Sequence, residues 1–225
     1  MNSTFKRIAA RLPDRWQQTL KRSYFARQIC SDSFRTDESE YALLDRLVAA
    51  GDWAIDIGAN VGHYTFRLSQ LVGSTGRVIA FEPVPATFEL LASNATNFPF
   101  QNVTLVNAAA SDSTRVVGMS VPKLASGLRN FYMARLDDGD SDVTVLAFAV
   151  DNLQLSHKVS LVKIDAEGHE LSVLRGIEDL LARDGPHLIV EDSSPEVWQF
   201  VRHFGYTQSK LSGSHNVVFS RNLVF

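Results

Sequence analysis

The sequence predicts a doubly wound α/β fold: a mostly parallel sheet with helices on both faces, an N-terminal helical extension and an extra β-hairpin insertion. Three observations predict it. Short apolar runs alternate with segments of helical period through most of the chain. A glycine-rich loop, Asp56 to Gly62, falls where one such run hands over to a helix. Over residues 113–150 the rhythm breaks, with two β-like runs around a polar turn and no helical segment between them. A length of 225 residues suits one α/β domain with a short appendage.

The elements follow in order. Residues 1–35 form a basic helical extension, and residues 36–225 form the main domain. In the extension Phe5, Ile8, Leu12, Trp16 and Leu20 recur at helical spacing, interrupted by Pro13, amid Lys6, Arg7, Arg11, Arg15, Lys21, Arg22 and Arg27. Such a segment packs one face on the core, or serves as a lid, a partner-binding arm or a membrane-surface helix. Asp37 is placed to cap a helix bearing Tyr41, Leu44, Leu47 and Val48, which Gly51 ends. Trp53 to Ile57 reads as a buried strand, followed by the loop and a helix to about Leu71. Val78 to Phe81 is the second strand, Pro85 opens the next helix, and Val103 to Val106 is the third strand. Val116 to Val121 and Val143 to Val150 make the hairpin. Alternation resumes with Leu161 to Ile164, a helix from about His169 to Ala182, and Leu188 to Val190. Ser194-Pro195 starts a helix ending near Gly205, before two β segments around Tyr206 to Lys210 and Val217 to Phe219.

Composition narrows the function classes. With 45% hydrophobic and 21% charged residues, the chain reads as an ordinary soluble globular protein. A formal net charge of -3 argues against a dedicated nucleic-acid binder. The lone Cys30 cannot form an internal disulfide, so a cytoplasmic setting is expected. No secretory signal or transmembrane run is visible. Sequons at Asn2, Asn94 and Asn102 read as chance matches.

The loop carries the chemistry. A dinucleotide site calls for Gly-x-Gly-x-x-Gly aimed at a pyrophosphate. Asp56-Ile57-Gly58-Ala59-Asn60-Val61-Gly62 has Asn60 at the middle position and an acid closing the strand before it. Glycines at 58 and 62 allow close backbone approach to a ligand, and the helix that follows offers N–H groups. This chemistry suits the amino-acid end of S-adenosylmethionine better than a pyrophosphate. Glu82, twenty residues beyond Gly62 at the tip of the second strand, is placed to accept hydrogen bonds from two ribose hydroxyls. Pro83 then turns the chain.

Asp56 to Gly62, Gly76-Arg77-Val78 leading to Phe81-Glu82-Pro83, Ala109-Ala110-Ser111-Asp112, and Val162-Lys163-Ile164-Asp165-Ala166-Glu167-Gly168-His169-Glu170 together resemble the FkbM family of methyltransferases. The resemblance spans about residue 50 to Glu191 and leaves out the N-terminal arm. It implies a class I methyltransferase (Rossmann-like) fold, S-adenosylmethionine as methyl donor, and O-methylation of a polyketide-type natural product or a sugar. It also implies that Asn107 to Ser111 lies against adenine through backbone contacts. The expected cofactor-binding residues are Asp56, Ile57, Gly58, Ala59, Asn60, Gly62, Glu82, Pro83, Ala109 and Ala110.

Asp165, Glu167 and His169 are the catalytic candidates, at a strand end and helix start where substrates bind in such sheets. Helix spacing places Glu167 and Glu170 on one side, with His169 turned away. Methyl transfer to an alcohol needs alignment and removal of a proton. His169 is the natural base by its ordinary pKa, and Asp165 the better one by position. Glu167 and Glu170 read equally well as acids that favour the helix dipole. Asp165 with Glu191 and Asp192 could ligate magnesium, but nothing in their spacing requires it, and no metal is expected. The acidic run 137–142 reads as a solvated turn. The remaining alternatives are an inactive S-adenosylmethionine-binding partner protein and a nicotinamide-dependent oxidoreductase, which the loop spacing opposes.

Overall fold

The computed structural model describes residues 14–122, 135–136, 141, 143–191, 194–211 and 213–222. The chain opens with α1 (Asp14–Cys30), followed by a 3-10 turn (Ser39–Leu43) and a single helical turn, α2 (Leu44–Leu47). Then come β1 (Trp53–Ile57), α3 (His63–Val72), β2 (Arg77–Phe81), α4 (Pro85–Ala95) and β3 (Val103–Val106). The insertion supplies β4 (Ala109–Ala110), β5 (Arg115–Ser120), β6 (Arg135–Leu136) and β7 (Val143–Phe148). The second half is β8 (Val159–Ile164), α5 (Glu170–Arg175), α6 (Glu178–Asp184), β9 (His187–Glu191), α7 (Pro195–His203), β10 (Thr207–Lys210) and β11 (Asn216–Ser220).

Seven strands form one sheet in the order β10-β11-β9-β8-β1-β2-β3, with β11 alone running against the rest. From β1 the chain winds outward through β2 and β3, then returns to the other side of β1 as β8. The carboxyl ends of β1 and β8 therefore flank the point where strand order reverses, the place where open α/β sheets bind ligands. β1, β2, β8, β9 and β11 are buried almost throughout because both faces are covered. On one face Ile55, Phe81, Val162 and Ile164 pack against α5, α6 and α7 through Val173, Leu174, Ile177, Leu181 and Val201. On the other Ala54, Val78, Leu161 and Ile189 pack against Leu44, Leu47, Leu68 and Val72. β10, rich in Thr, Gln, Ser and Lys, is an exposed edge that polar side chains blunt.

Three elements depart from expectation. The helix expected after Asp37 is a 3-10 turn joined to one α turn, and Glu38 takes the cap position without a side-chain bond. Tertiary contacts override helical period there: buried Glu40 accepts hydrogen bonds from Tyr64, Ser214 and Asn216. The helix expected from His169 to Ala182 is two, broken at Gly176-Ile177. A Cβ on Gly176 would lie 1.8 Å from the Ser111 carbonyl oxygen, and the Asp151 carboxylate accepts the Asp179 and Leu180 amides that open α6. The insertion extends the expected hairpin, β5 against β7, into a second sheet of order β4-β7-β5-β6, because Ala109-Ala110 pairs in parallel with β7. Its apolar face, with Val117, Met119, Val145 and Ala147, packs on Val84.

The N-terminal segment is joined to the main core. Ile29 and Phe34 are buried with Val61, Phe66, Leu90 and Phe98, and Arg22 pairs with Glu89 of α4 at 3.3 Å. The sequon residues Asn94 and Asn102 are buried and bonded to backbone carbonyls. Asn2 and most of the acidic run lie outside the described residues.

Candidate active site

At the reversal point a cavity of about 220 Å³ opens over the ends of β1, β2, β8 and β9. It is lined by Ile57, Gly58 and Asn60 from the loop, Glu82 and Pro83 after β2, and Ala109 and Ala110 of β4. Asp165, Glu167, His169 and Glu191 form its acidic side. Of the expected cofactor residues, Asp56, Ala59 and Gly62 do not line it.

The loop's conformation explains its composition. Gly58, Asn60 and Gly62 all have positive φ, of 72°, 51° and 100°. A Cβ on Gly58 would lie 1.9 Å from the Asp165 carbonyl oxygen, and one on Gly62 2.7 Å from Leu91 Cδ1. Each glycine makes room for another part of the protein, and Gly58 also lines the cavity. The loop amides are likewise engaged internally. Gly58 and Ala59 donate to the Phe81 carbonyl at 3.0 and 2.9 Å, Gly62 donates to Ala59 at 2.8 Å, and Asn60 donates to Glu82 Oε2 at 2.9 Å.

Glu82 is 5% exposed. Its second oxygen accepts the Val84 amide at 2.9 Å, and Asn107 Nδ2 clamps the carbonyls of Glu82 and Pro83 at 2.8 and 3.1 Å. Burial outweighs these amides and pushes the Glu82 carboxyl up to about 7. Each of its oxygens retains acceptor capacity. A buried carboxylate with no ion-pair partner among the described residues, opening on a cavity, fits a ligand that brings neutral hydrogen-bond donors, such as the two hydroxyls of a ribose.

Asp56 points away from the cavity. Fully buried, it accepts from Thr65 Oγ1 at 2.5 Å, and its Oδ1 lies 3.9 Å from Lys163 Nζ. Burial raises its pKa against the pull of Lys163. Lys163 is the residue whose part could not be read from the motif. It stands opposite Asp56 in the β1–β8 register and two residues before Asp165, so all three share one side of the sheet. Its ammonium donates to the Gly58 carbonyl at 3.2 Å and to Asp165 Oδ2 at 2.9 Å, tying the loop to the end of β8. A lone lysine in an otherwise apolar buried strand was the available signal.

Asp165, Glu167 and Glu191 have carboxylate oxygens within 4.8 Å of one another. Burial opposes the charge on Asp165, but the Lys163 ammonium and a hydrogen bond with Glu191 hold its pKa below the usual carboxylate range. Glu191 moves the other way, to about 8, through that hydrogen bond, burial and its acidic neighbours. Burial, then Asp165, raises Glu167, which faces Arg135 at 3.9 Å. The sequence offers Glu191 only as a magnesium ligand beside Asp192, which lies outside the described residues.

The expected partition of Glu167, His169 and Glu170 by helix spacing fails because α5 begins only at Glu170. Glu167, with φ of 50°, and His169 both reach the cavity from the preceding loop. Glu170 instead turns back and accepts the amides of Ala166 and Gly168 at 3.3 and 3.0 Å. His169 Nε2 is 2.9 Å from Ser111 Oγ, and burial lowers its pKa. His63 packs at 4.3 Å against the Phe34 ring, and burial brings it down to about 4. Met119 and Leu136 of the second sheet complete the wall, a part that sequence reasoning assigned to the insertion without naming residues.

Comparison with known proteins identifies relatives of the chain and of its fold. The family model described as Methyltransferase FkbM domain matches residues 56–207. The chain is 30% identical over 129 residues to hexuronic acid methyltransferase AglP of Haloferax volcanii, matching 56% of this chain and 50% of that protein. It is 26% identical over 148 residues to methyltransferase 1 of Beauveria bassiana, matching 56% of this chain and 58% of that one. The chain thus spans about half the length of the curated relatives it matches. A solved FkbM methyltransferase from Methylobacillus flagellatus superposes with a TM-score of 0.53 at 13% identity, over 91% of this chain and 59% of that one. Aeropyrum pernix fibrillarin, solved with natively bound S-adenosylmethionine, superposes with a TM-score of 0.51 at 15% identity, over 80% and 72%. These two likenesses are of fold, the class I methyltransferase architecture.

Proposed function

Because the chain belongs to the FkbM methyltransferase family, we propose that it transfers a methyl group from S-adenosylmethionine to a hydroxyl oxygen of a small molecule or sugar. The observation that carries this reading is the shared cavity, which joins Glu82 at the end of β2 to the Asp165 cluster at the end of β8. In this reading Glu82 accepts the ribose hydroxyls, with Ile57, Gly58, Asn60 and Pro83 shaping the cofactor's bed and Ala109 and Ala110 facing its base. Asp56 and Lys163 act behind the surface and fix the loop against β8. When bound, the cofactor supplies an electrophilic methyl on a sulfonium. The chain's own contribution is alignment of the acceptor at Asp165 and Glu167, which can account for much of the acceleration. Met119 and Leu136 border the acceptor. A carbohydrate acceptor is favoured by the relative named for hexuronic acid.

The test is calorimetric titration with S-adenosylmethionine, followed by transfer of labelled methyl to a panel of neutral sugars, uronic acids and polyketide alcohols. Binding with transfer to one acceptor class supports the reading. Absence of binding would sink it, and binding without transfer to any member would point to an inactive cofactor-binding protein.

A further inference from the structure

We propose that Glu191, at the tip of β9, takes the proton of the acceptor hydroxyl, with Asp165 as the residue that positions it. The proposal rests on the methyltransferase reading above and assigns the proton acceptor within it. Its first support is register. Ile164 pairs with Val190 on adjacent parallel strands, so the next residues, Asp165 and Glu191, emerge side by side at the sheet's carboxyl edge. Both line the cavity, and their carboxylate oxygens and those of Glu167 lie within 4.8 Å of one another.

The second support is the company each candidate keeps. Asp165 is committed to Lys163 Nζ at 2.9 Å, which lowers its basicity. Glu167 faces Arg135 at 3.9 Å. His169 gives its Nε2 to Ser111 at 2.9 Å. Glu191 alone of these cavity residues has neither an ion pair nor a hydroxyl partner among the described residues, and β11 sets the neutral Asn216 beside it in register. The charged groups facing Glu191 are therefore Asp165 and Lys163 from β8 and Glu167 from the loop.

Two carboxyl groups in hydrogen-bond contact hold one proton between them. Lys163 keeps Asp165 charged, so that proton resides on Glu191 and leaves it as pH rises through about 8. In the reactive form Glu191 is a carboxylate of high basicity. As the acceptor oxygen bonds to the methyl carbon, the carbon–sulfur bond breaks and its electron pair stays on sulfur. The hydroxyl proton passes to a Glu191 oxygen, so cation and carboxylate are both neutralised.

Infrared difference spectra of the cofactor-free protein, titrated from pH 6 to pH 10, read this proton directly. The expected result is a protonated-carboxyl band that titrates near pH 8, is lost in Glu191→Gln and is retained in Glu167→Gln and Glu82→Gln. On whichever acceptor the panel identifies, kcat should rise through the same pH. Glu191→Gln should lower kcat by about 100-fold or more and flatten that rise. Glu191→Asp should restore part of the rate, and the Kd for S-adenosylmethionine should change less than about threefold in both variants. Persistence of the component that titrates near pH 8, distinct from the Glu82 band near pH 7, or of the alkaline rise, in Glu191→Gln overturns the proposal while leaving the methyltransferase reading in place. Loss of cofactor binding by the unaltered protein would instead count against that reading.

Discussion

Glu82 carries two kinds of bond at once, and they set how it should be tested. Its oxygens hold the amides of Asn60 and Val84, so removal of the carboxyl would loosen the loop as well as the ligand. Glu82→Gln is the sharper change, and it is expected to weaken S-adenosylmethionine binding about 10- to 100-fold, the worth of charge-assisted hydrogen bonds. Hydroxyl donors favour the carboxylate over the carboxylic acid. Affinity should therefore rise with pH through about 7 in the unaltered protein, and calorimetry across that range should find the slope absent in Glu82→Gln. Glycines give a second test at this scale. Gly58 and Gly168 both have positive φ, but a Cβ on Gly58 meets a backbone carbonyl at 1.9 Å, whereas one on Gly168 meets nothing within 4 Å. Chemical denaturation should show Gly168→Ala costing about 1 kcal/mol and Gly58→Ala about 3 kcal/mol or more.

At the scale of elements, the β1–β8 pair is held at its carboxyl end by a buried cation between two acids. Lys163 is 4% exposed, with Asp56 on one side and Asp165 on the other. Lys163→Met would leave two carboxylates without their counter-charge, and a loss of about 3 kcal/mol is expected in denaturant titration. Lys163 depresses the Asp165 pKa, so this stabilisation is present above the unfolded carboxylate value and fades as pH falls through the folded one. The gap between variant and unaltered protein should accordingly narrow below about pH 4. The second sheet carries a separate expectation. Met119 and Leu136 line the cavity from the second sheet. Met119→Ala and Leu136→Ala should alter the acceptor KM several-fold while leaving the cofactor Kd nearly unchanged.

For the whole molecule, the acidic cavity links ligand binding to stability. Glu82 and Glu191 both hold their protons to higher pH than in an unfolded chain, to about 7 and about 8. Raised carboxyl values contribute stability that is present at low pH and lost as pH climbs through them. Melting of the cofactor-free protein should therefore move to lower temperature between pH 6.5 and pH 8.5, with a smaller shift in the Glu82→Gln, Glu191→Gln double variant. His63 works in the opposite sense and lower down: buried neutral at about 4, it withdraws stability as pH falls below its unfolded value. A flat melting profile across the upper range would contradict the assignment of both acids.

Much of this architecture is legible in the residues themselves. Apolar runs of four to six residues separated by helical segments specify the parallel strands, since a strand covered on both faces has no polar side to show. Asp56, Glu82 and Asp165 could be placed at strand ends because turn and glycine signals follow each of them. Their placement beside one another came from sheet order, which sets β8 next to β1 and β9 next to β8. That order decides what local pattern cannot carry: Lys163 reaches Gly58 across 105 residues, Glu191 stands next to Asp165, and Gly58 makes room for the Asp165 carbonyl. The sequence alone determined the strands, the loop and the family resemblance through local periodicity and spacing. Only the tertiary structure decided which carboxylates share a cavity and in which direction the pKa of each moves, because charge and burial at each depend on residues distant in the chain.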